Sequence, residues 1–599
     1  MKSLLGGLFA ALCGLSLLSG ASAAPLSELE AAAASSPEDF GKVFDNAAPA
    51  AGATDARAMT QEQLRQTMLA DLDSIKNIFE ARYAPAEWKG ELNGWSLDAE
   101  IIKAKEAVNA QQPVSVAEYR KIVKRLFAST QDYHVSVSFH STAGAVLPLS
   151  LTESGGRYYI NGINRRVLPE SAFPFKTGDE VTSIGGKSMD EAVAEYLAEA
   201  GIDNVPGTDR ALAALRLTQR LGSRADDMPL EPATLSIKPA GAAEAVAVRL
   251  DWLRAEEQIP PQQFVAKRLG GDALPLDWMT VMYSDLFAGS GAETAGYEIG
   301  DRDGFLPDLG EKIWQAPSTS LFRAYIYRNP VDGKKTGYVR IPTYMVDDPD
   351  ALAADFSLLA GEFERGADAL VIDQLNNPGG IVPYMYRLLS MLTDSPLQVP
   401  LHRITLTPAD VNSSVKLLRQ TEGAKTDDDA RKLLGDTFGS YPVDLAFLND
   451  YRAFSSSVIK QWGEGKTLTD PLPNFGVATV APAYGPRFTK PLLVLTNEAD
   501  ISCGDFFPAI MQDNRRGVTF GARTSGAGGA VRQYRYENSL LGMNNFGLTQ
   551  TIAIRANGRP IESLGVTPDI PYAVQPGDLQ TGFKAYTSAV NAAAAGLTR

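Results

Sequence analysis

Apolar and polar positions near the amino terminus follow first a helical period and then a strand period. Thr60-Gln61-Glu62-Gln63 fits a capping box and predicts a helix as far as residue 83. Ser115-Val116-Ala117-Glu118 fits a second capping box and predicts a helix to about residue 128. Val135, Val137 and Phe139 then alternate with serines, which is the period of a half-buried strand. Residues 57–146 are therefore predicted to be helical and to end in a strand headed by His134.

The pattern changes to short strands and turns over residues 147–252. Residues 233–238 and 245–250 are predicted to pair as a hairpin. The run Gly178-Asp179-Glu180-Val181-Thr182-Ser183-Ile184-Gly185-Gly186 resembles the peptide-binding PDZ domains, which capture a chain end by strand addition. The alternative is an unrelated small β-domain. Residues 253–320 show little periodicity and are rich in Gly and Pro, which predicts an irregular insertion.

Two strand–turn–helix units dominate residues 321–599. Residues 369–373 and 492–496 are continuous apolar runs, typical of strands buried on both faces of a sheet. Each run is followed by a polar turn and then by a helical pattern, which begins at about residue 384 in the first unit and at Ser502 in the second. The expected fold class is a multidomain α/β protein, and α/β sheets place their sites at such turns.

The first residues have the features of a secretory signal peptide. Lys2 precedes an apolar run of about fifteen residues, too short for the roughly twenty that a bilayer span needs. Ala21-Ser22-Ala23 then fits a cleavage site. The prediction is a signal peptide at 1–23, a leader rich in Ala, Ser and Glu at 24–56, no transmembrane segment, and a periplasmic or secreted location.

Composition restricts the chemistry that the mature protein has available. The net charge of −15 opposes sequence-independent binding to nucleic acid. Removal of the signal peptide leaves Cys503 as the single cysteine, so an intramolecular disulfide is impossible. With three histidines in the chain, a metal site built on His and Cys is not expected, and neither is a cofactor.

Ser502 follows the second apolar strand and lies at the start of a helix. Unpaired N–H groups and the helix dipole favour a developing negative charge there, as an acyl-transfer nucleophile requires. A serine at a helix start is also a common structural cap. Cys503 beside it is either a reactive thiol or a small buried residue.

The residues around both turns resemble the carboxyl-terminal-processing peptidase family. The resemblance is carried by Ala369 to Gly380, which ends in Asn-Asn-Pro-Gly-Gly, and by Ser502-Cys503-Gly504-Asp505 with the following Gln512-Asp513-Asn514-Arg515-Arg516. It implies a ClpP/crotonase-like core with Ser502 as nucleophile and a lysine some 25 residues later as base. This chain has Ala527 where that lysine is expected.

The chain also resembles a branch of that family, typified by the chlamydial protease-like activity factor, that uses serine, histidine and glutamate. Asp132-Tyr133-His134, the turn Ser525-Gly526-Ala527-Gly528-Gly529, and the run from Gly558 to Val566 carry this resemblance. It implies that His134 is the base and Glu562 the third member of a triad. It also implies a homodimer and a zymogen, in which a segment within 253–320 blocks the site until self-cleavage.

These roles agree with elementary chemistry. A hydroxyl needs an adjacent base, and imidazole can take and return a proton near neutral pH. Glu562 would orient the imidazole and stabilise its cation. The oxyanion is expected between N–H groups of Gly379 or Gly380 and of Cys503.

The expected function is therefore an exported serine endopeptidase that acts on protein or peptide substrates. One alternative is a catalytically silent peptide- or ligand-binding protein on the same fold. Another is a Ser/Lys peptidase whose lysine comes from elsewhere, such as Lys490.

Overall fold

The computed structural model describes residues 59–257, 302–538 and 540–598. The predicted signal peptide, the predicted leader and most of the predicted irregular insertion lie outside these residues. Among the residues described, no helix combines the length and apolar character that crossing a membrane requires.

The amino-terminal region is helical and ends in a strand, as predicted. Thr60 and Gln63 form the expected capping box, and Ser115 caps the last helix of the group. Apolar faces of these helices pack together around residues such as Met68, Leu72 and Val123. The elements are α1 Gln61–Arg82, α2 Ala86–Asn93, α3 Leu97–Ala110, α4 Val116–Ala128 and β1 Ser136–Phe139.

A small β-rich domain follows, with its own apolar core. Its main sheet has the order β3-β4-β5-β8-β9, and the predicted hairpin is present as the antiparallel pair β8–β9. The elements are β2 Gly144–Val146, β3 Leu149–Ser154, β4 Arg157–Ile163, β5 Glu180–Ile184, β6 Lys187–Ser188, α5 Met189–Ala200, α6 Pro206–Leu217, β7 Gln219–Leu221, β8 Ala233–Lys238, β9 Val246–Leu250 and β10 Leu253–Ala255.

The remaining elements form the α/β core, which begins before residue 321. They are β11 Glu311–Gln315, β12 Ala324–Arg328, β13 Lys335–Arg340, α7 Pro349–Gly366, β14 Ala369–Asp373, α8 Val382–Ser390, β15 Leu397–Gln398, β16 Leu401–Ile404, α9 Pro408–Thr421, α10 Asp427–Leu434, β17 Thr437–Phe438, β18 Tyr441–Pro442, α11 Leu445–Gly463, β19 Leu472–Pro473, β20 Thr479–Val480, β21 Leu492–Thr496, α12 Cys503–Asp513, β22 Val518–Gly521, β23 Val531–Asn538, β24 Met543–Thr549, β25 Thr551–Ile554, β26 Ile570–Pro571, α13 Pro576–Thr581 and α14 Lys584–Gly596.

One seven-stranded sheet organises this core, in the order β11-β12-β13-β14-β21-β22-β26. The five strands from β13 to β26 run parallel, whereas β11 and β12 are antiparallel. The strands β14 and β21 are neighbours and every residue of each is buried. Because parallel strands end at the same edge, the turns that follow β14 and β21 lie side by side.

The helical region is attached to the core through β1. This strand pairs antiparallel with β24, with Val137 opposite Phe546. Phe139 and Phe546 join the apolar cluster of the helices, and Phe127 packs edge-on against Phe546 with ring centroids 5.7 Å apart. His134, two residues before β1, is therefore brought to the core by strand pairing and by burial of aromatic rings.

The prediction of an irregular insertion at 253–320 is wrong at both of the ends that the structure describes. Leu253–Ala255 pairs with β2, and Glu311–Gln315 pairs with β12 as the edge strand of the main sheet. Both strands are short and mostly exposed or half-buried, so they lack a clear apolar period. Their partners in the sheet, rather than their own sequence pattern, make them strands.

A buried ion pair joins the last residues of β13 and β14. Arg340 Nη1 lies 2.9 Å from Asp373 Oδ1 and donates to the carbonyl of Leu375 at 2.7 Å. The second carboxylate oxygen accepts from the Tyr338 hydroxyl at 2.6 Å. Both charged side chains are about 1% exposed, so neither has water as a substitute partner.

We expect Arg340→Met to lower the free energy of unfolding by about 3 kcal/mol, because it leaves the Asp373 carboxylate buried without its cation. Urea unfolding monitored by circular dichroism measures this change. Arg365→Met is the matched control, since Arg365 pairs with Glu362 on the surface and should change stability by less than about 1 kcal/mol. Equal effects of the two substitutions would contradict the assignment.

Candidate active site

The turns after β14 and β21 are joined by hydrogen bonds between buried groups. Asn376 N–H donates to Asn497 Oδ1 at 3.0 Å, and Asn497 Nδ2 donates back to Asn376 Oδ1 at 2.7 Å. Asn377 N–H donates to Asp500 Oδ1 at 3.0 Å, while Asn377 O accepts from Ile501 N–H at 2.9 Å. The two turns therefore behave as one rigid unit immediately before Ser502.

Ser502 has an unusual backbone conformation, with φ 60° and ψ −115°. Positive φ is strained for a residue with a side chain, and such strain is concentrated at functional sites. The sharp strand-to-helix turn of α/β hydrolases presents a nucleophilic serine in a comparable way. Ser502 directly precedes α12, whose first N–H groups have no partner within the helix.

Gly379 and Gly380 lie against this serine. A Cβ on Gly379 would be 2.6 Å from Ser502 Cβ and 3.0 Å from the nitrogen of Cys503. A Cβ on Gly380 would be 2.0 Å from the carbonyl carbon of Tyr344, so neither position has room for a side chain. The N–H of Gly379 donates to Asn377 Oδ1 at 2.9 Å and is already engaged.

Cys503 is fully buried, which agrees with a packing role rather than with a reactive thiol. Its Sγ lies 3.2 Å from the carbonyl oxygen of Gly380. Burial raises the pKa of the thiol, so it stays protonated and is not a nucleophile at neutral pH.

Asp505 connects Ser502 with the turn in which Ala527 lies where the family resemblance predicts a lysine. Its carboxylate accepts from Ser502 N–H at 2.9 Å, from Gly526 N–H at 2.8 Å and from Ala527 N–H at 3.0 Å. The hydroxyls of Thr524 and Ser525 donate to the same carboxylate, at 2.5 Å and 3.1 Å. Burial raises the pKa of Asp505 to about 6, and above that pH the carboxylate can accept from all five donors.

His134 lies at the head of β1 and is 9% exposed. Its backbone N–H donates to Asp132 Oδ1 at 2.9 Å, and its ring atom Nδ1 is buried without a hydrogen-bond partner. Burial lowers the pKa of His134, while the charge of Asp132 opposes that change. The imidazole is therefore held in its neutral form, which is the form that can accept a proton.

Glu562 is completely buried and is paired with a lysine that the sequence gave no reason to select. Its Oε1 lies 2.6 Å from Lys89 Nζ, and its Oε2 accepts from Gly528 N–H at 2.9 Å. Burial and the charge of Asp132 raise the pKa of Glu562, and Lys89 opposes the rise. Lys89 is in helix α2, more than 400 residues earlier in the chain, and a lone lysine in a helix has no sequence signal for burial.

These contacts connect the three predicted triad residues without placing them in direct hydrogen bonds. Asp505 joins Ser502 to the turn, Gly528 joins the turn to Glu562, and Asp132 influences the ionisation of both Glu562 and His134. Within the described residues, neither ring nitrogen of His134 is bonded to Ser502 or to Glu562. Catalytic hydrogen bonds are often long before substrate binds.

Lys490, the alternative base, is wrongly placed for that role. It lies two residues before the start of β21, whereas Ser502 lies six residues after the end of that strand. Its Nζ donates to the carbonyl oxygens of Glu364 and Ala367 at 2.6 and 2.7 Å. A five-residue strand separates the ends by about 16 Å, beyond hydrogen-bonding reach.

In the described part of the chain, no cluster of three or more His, Cys, Asp and Glu side chains has a geometry that could hold a metal ion. The chemistry available at this site is that of a serine hydroxyl, a neutral imidazole, buried carboxylates and backbone N–H groups.

Two family models match the chain in the regions described above. Residues 335–572 match Peptidase family S41, and residues 143–259 match the PDZ domain. These matches, together with the helices observed in the amino-terminal region, confirm the predicted fold class of a peptidase core with a PDZ-like domain and a helical amino-terminal region.

Similar proteins cover most of the chain. An uncharacterised protein of Chlamydia muridarum is 32% identical over 565 residues, which are 88% of this chain and 92% of that protein. A protein of Chlamydia trachomatis is 32% identical over 559 residues, 87% of this chain and 90% of that one. The structure of mature CPAF complexed with lactacystin is 30% identical, covers 89% of this chain and 99% of its own, and has a TM-score of 0.77. The chain is therefore a serine-type peptidase of family S41, similar over most of its length to CPAF, the chlamydial protease-like activity factor.

Proposed function

We propose that this protein is an exported endopeptidase that hydrolyses peptide bonds of protein substrates through an acyl-enzyme on Ser502. The observation that carries the proposal is the strained conformation of Ser502 at the start of a buried helix, directly against Gly379. Strain of this kind persists only where the surroundings hold the backbone in place, and here the hydrogen-bonded turns after β14 and β21 do so. The predicted signal peptide at 1–23 is the basis for proposing export.

His134 is the proposed general base. In its neutral form it would take the proton of Ser502 as the hydroxyl attacks the substrate carbonyl, and return it to the leaving amine. Burial favours that neutral form. The unpartnered Nδ1 leaves a position for the hydrogen bond that a triad requires.

Glu562 is the proposed third member, acting through its negative charge on the imidazolium that forms during the reaction. Its position is supported from both sides, by Gly528 N–H and by Lys89. A side chain held in this way reorganises little as charge develops, which is the condition for electrostatic stabilisation.

The N–H groups of Gly380 and Cys503 are the proposed oxyanion donors. Cys503 is the first residue of α12, where helix geometry leaves the N–H without an internal partner. Gly379 was an equal candidate from the sequence, but its N–H already donates to Asn377. Gly379 would then contribute by allowing close approach to Ser502.

We further propose a homodimer made as a zymogen that cleaves itself within residues 253–320. One structure similar to this chain is that of mature CPAF, and among the described residues of this chain the His134 ring is not bonded to Ser502. The same missing contact favours the second candidate function, a catalytically silent peptide-binding protein.

The triad is tested by covalent labelling with a fluorophosphonate probe. We expect wild-type protein to be labelled and Ser502→Ala protein, which lacks the nucleophile, to be unlabelled. Labelling should fall at least a hundredfold in His134→Ala, which loses the base, and in Glu562→Gln, which loses the carboxylate that orients the base. Lactacystin, which is bound in the CPAF structure, should compete with the probe.

His140→Ala is the matched control, since this half-buried histidine lies at the opposite end of β1 from His134. It should retain labelling. A wild-type protein that is unlabelled even after limited proteolysis would favour the silent binding protein.

Asp505→Asn should reduce the labelling rate about a hundredfold or more, because an amide cannot accept from the N–H groups of Ser502, Gly526 and Ala527 with both of its polar atoms. The rate constant of labelling measures this loss. Asp428→Asn, at an exposed position, is the control and should have no effect. Unchanged labelling of Asp505→Asn would exclude a role in positioning Ser502.

Self-processing predicts that purified wild-type protein separates into two fragments whose new termini lie within residues 253–320. Ser502→Ala protein should remain a single chain because it lacks the nucleophile. Mass spectrometry of both proteins measures this difference. Fragments of the same mass in the Ser502→Ala protein would show that another protease makes the cut.

A further inference from the structure

Lys89 occupies a position where lysine is seldom found. It lies on helix α2 and its side chain is 0% exposed. An ammonium group is stable in such surroundings only when opposite charge and hydrogen-bond acceptors surround it. The position therefore points to a specific task rather than to a solvated helix face.

All three ammonium protons of Lys89 have partners. Nζ lies 2.6 Å from Glu562 Oε1, donates to Ser563 Oγ at 2.6 Å, and donates to the carbonyl oxygen of Gln131 at 2.5 Å. None of these partners is Ser502, so Lys89 does not stand in for the base lysine that Ala527 replaces.

The three partners belong to the two segments that carry the base and the third triad member. Gln131 precedes His134 by three residues and has a positive φ of 50°, so its conformation depends on its contacts. Glu562 and Ser563 form the opposite segment. The neighbouring Trp88 also donates from Nε1 to the carbonyl oxygen of Glu562 at 3.0 Å.

We propose that Lys89 is a positioning residue for the peptidase reaction, which holds the Glu562 carboxylate ionised and fixes it relative to the His134 segment. This inference rests on the proposed function, because it assumes that Glu562 acts in the triad. It gives the helical amino-terminal region a second contribution to the site, besides His134.

The groups that face Glu562 define how its ionisation should respond. Lys89 favours the charged form, as does the N–H of Gly528, while Asp132 and burial oppose it. Tyr83, at the end of α1, also faces this group, and burial holds its pKa well above the usual value, so it stays neutral. Removal of the Lys89 charge therefore raises the pKa of Glu562 further.

The test is the pH dependence of fluorophosphonate labelling. Lys89→Met should reduce labelling at neutral pH at least tenfold and move the acid limb of the profile upward by about one to three pH units, with recovery at alkaline pH. Lys89→Arg keeps the cation and should keep the acid limb of the wild type. Lys103→Met, at an exposed lysine of the same region, is the matched control and should leave the profile unchanged.

The outcomes separate this inference from the proposed function. If Glu562→Gln loses labelling but folded Lys89→Met keeps the wild-type profile, the positioning role is overturned and the triad stands. If Glu562→Gln keeps full labelling, the proposed triad itself fails. An equal loss at every pH in folded Lys89→Met would also overturn the positioning role, since Glu562 would then not mediate the effect.

If Lys89→Met fails to fold, the double variant Lys89→Met/Glu562→Gln decides the pairing. Removing both charges costs less than leaving one charge buried alone. We expect the double variant to show a cooperative thermal unfolding transition, which Lys89→Met would lack. Its labelling should not recover at alkaline pH. A double variant as unstable as Lys89→Met would overturn the proposal.

Discussion

The hydrogen bonds between the turns after β14 and β21 hold the site in place. Asn377 contributes to this link through its backbone in both directions, and Asp500 accepts from it as a fully buried carboxyl. Asp500 also accepts from Asn497 N–H at 3.0 Å and from Gln374 Nε2 at 3.2 Å. Buried polar networks of this kind are stable only when they are fully connected, so the two turns are specified together. The conformation of Ser502 follows from that constraint.

Asp505 extends this constraint to the rest of the site. It binds the backbone of the proposed nucleophile and the turn in which the family resemblance predicts a base lysine. Ala527 keeps its N–H in this network, although it brings no side-chain amine. The turn is therefore retained as structure even though the lysine is gone, and its next residue, Gly528, binds Glu562.

The proposed base and its partner lysine come from a different part of the chain. His134 reaches the core because β1 pairs with β24, and α2 contacts Glu562 directly through Lys89 and through the bond from Trp88 to the Glu562 carbonyl. Four charged or titratable groups, Lys89, Asp132, Glu562 and His134, are consequently buried close together. Besides burial, Asp132 and Lys89 influence the pKa of Glu562, and Asp132 influences the pKa of His134, because charges interact strongly in a low-dielectric site.

Much of the fold is predictable from local pattern. Continuous apolar runs identify β14 and β21, capping boxes identify the start of α1, and alternation identifies β1. These features depend on residues adjacent in sequence, so physical rules of period and capping are sufficient to find them. The position of Ser502 between a buried strand and a helix is likewise predictable from adjacent residues.

The short strands β10 and β11 escaped prediction because their apolar pattern is weak and their partners are distant in sequence. The sequence offers Gly379 and Gly380 equally as oxyanion donors. Only the structure distinguishes them, because the N–H of Gly379 already donates to Asn377 Oδ1.

The sequence by itself determined the buried strands of the α/β core, the helical region and the location of the candidate nucleophile, because each depends on local periodicity. The tertiary structure alone decided that Lys89 is the partner of Glu562 and that Lys490 donates to the carbonyl oxygens of Glu364 and Ala367. The partner of a buried charge is chosen by three-dimensional packing and desolvation, and those do not follow from spacing along the chain.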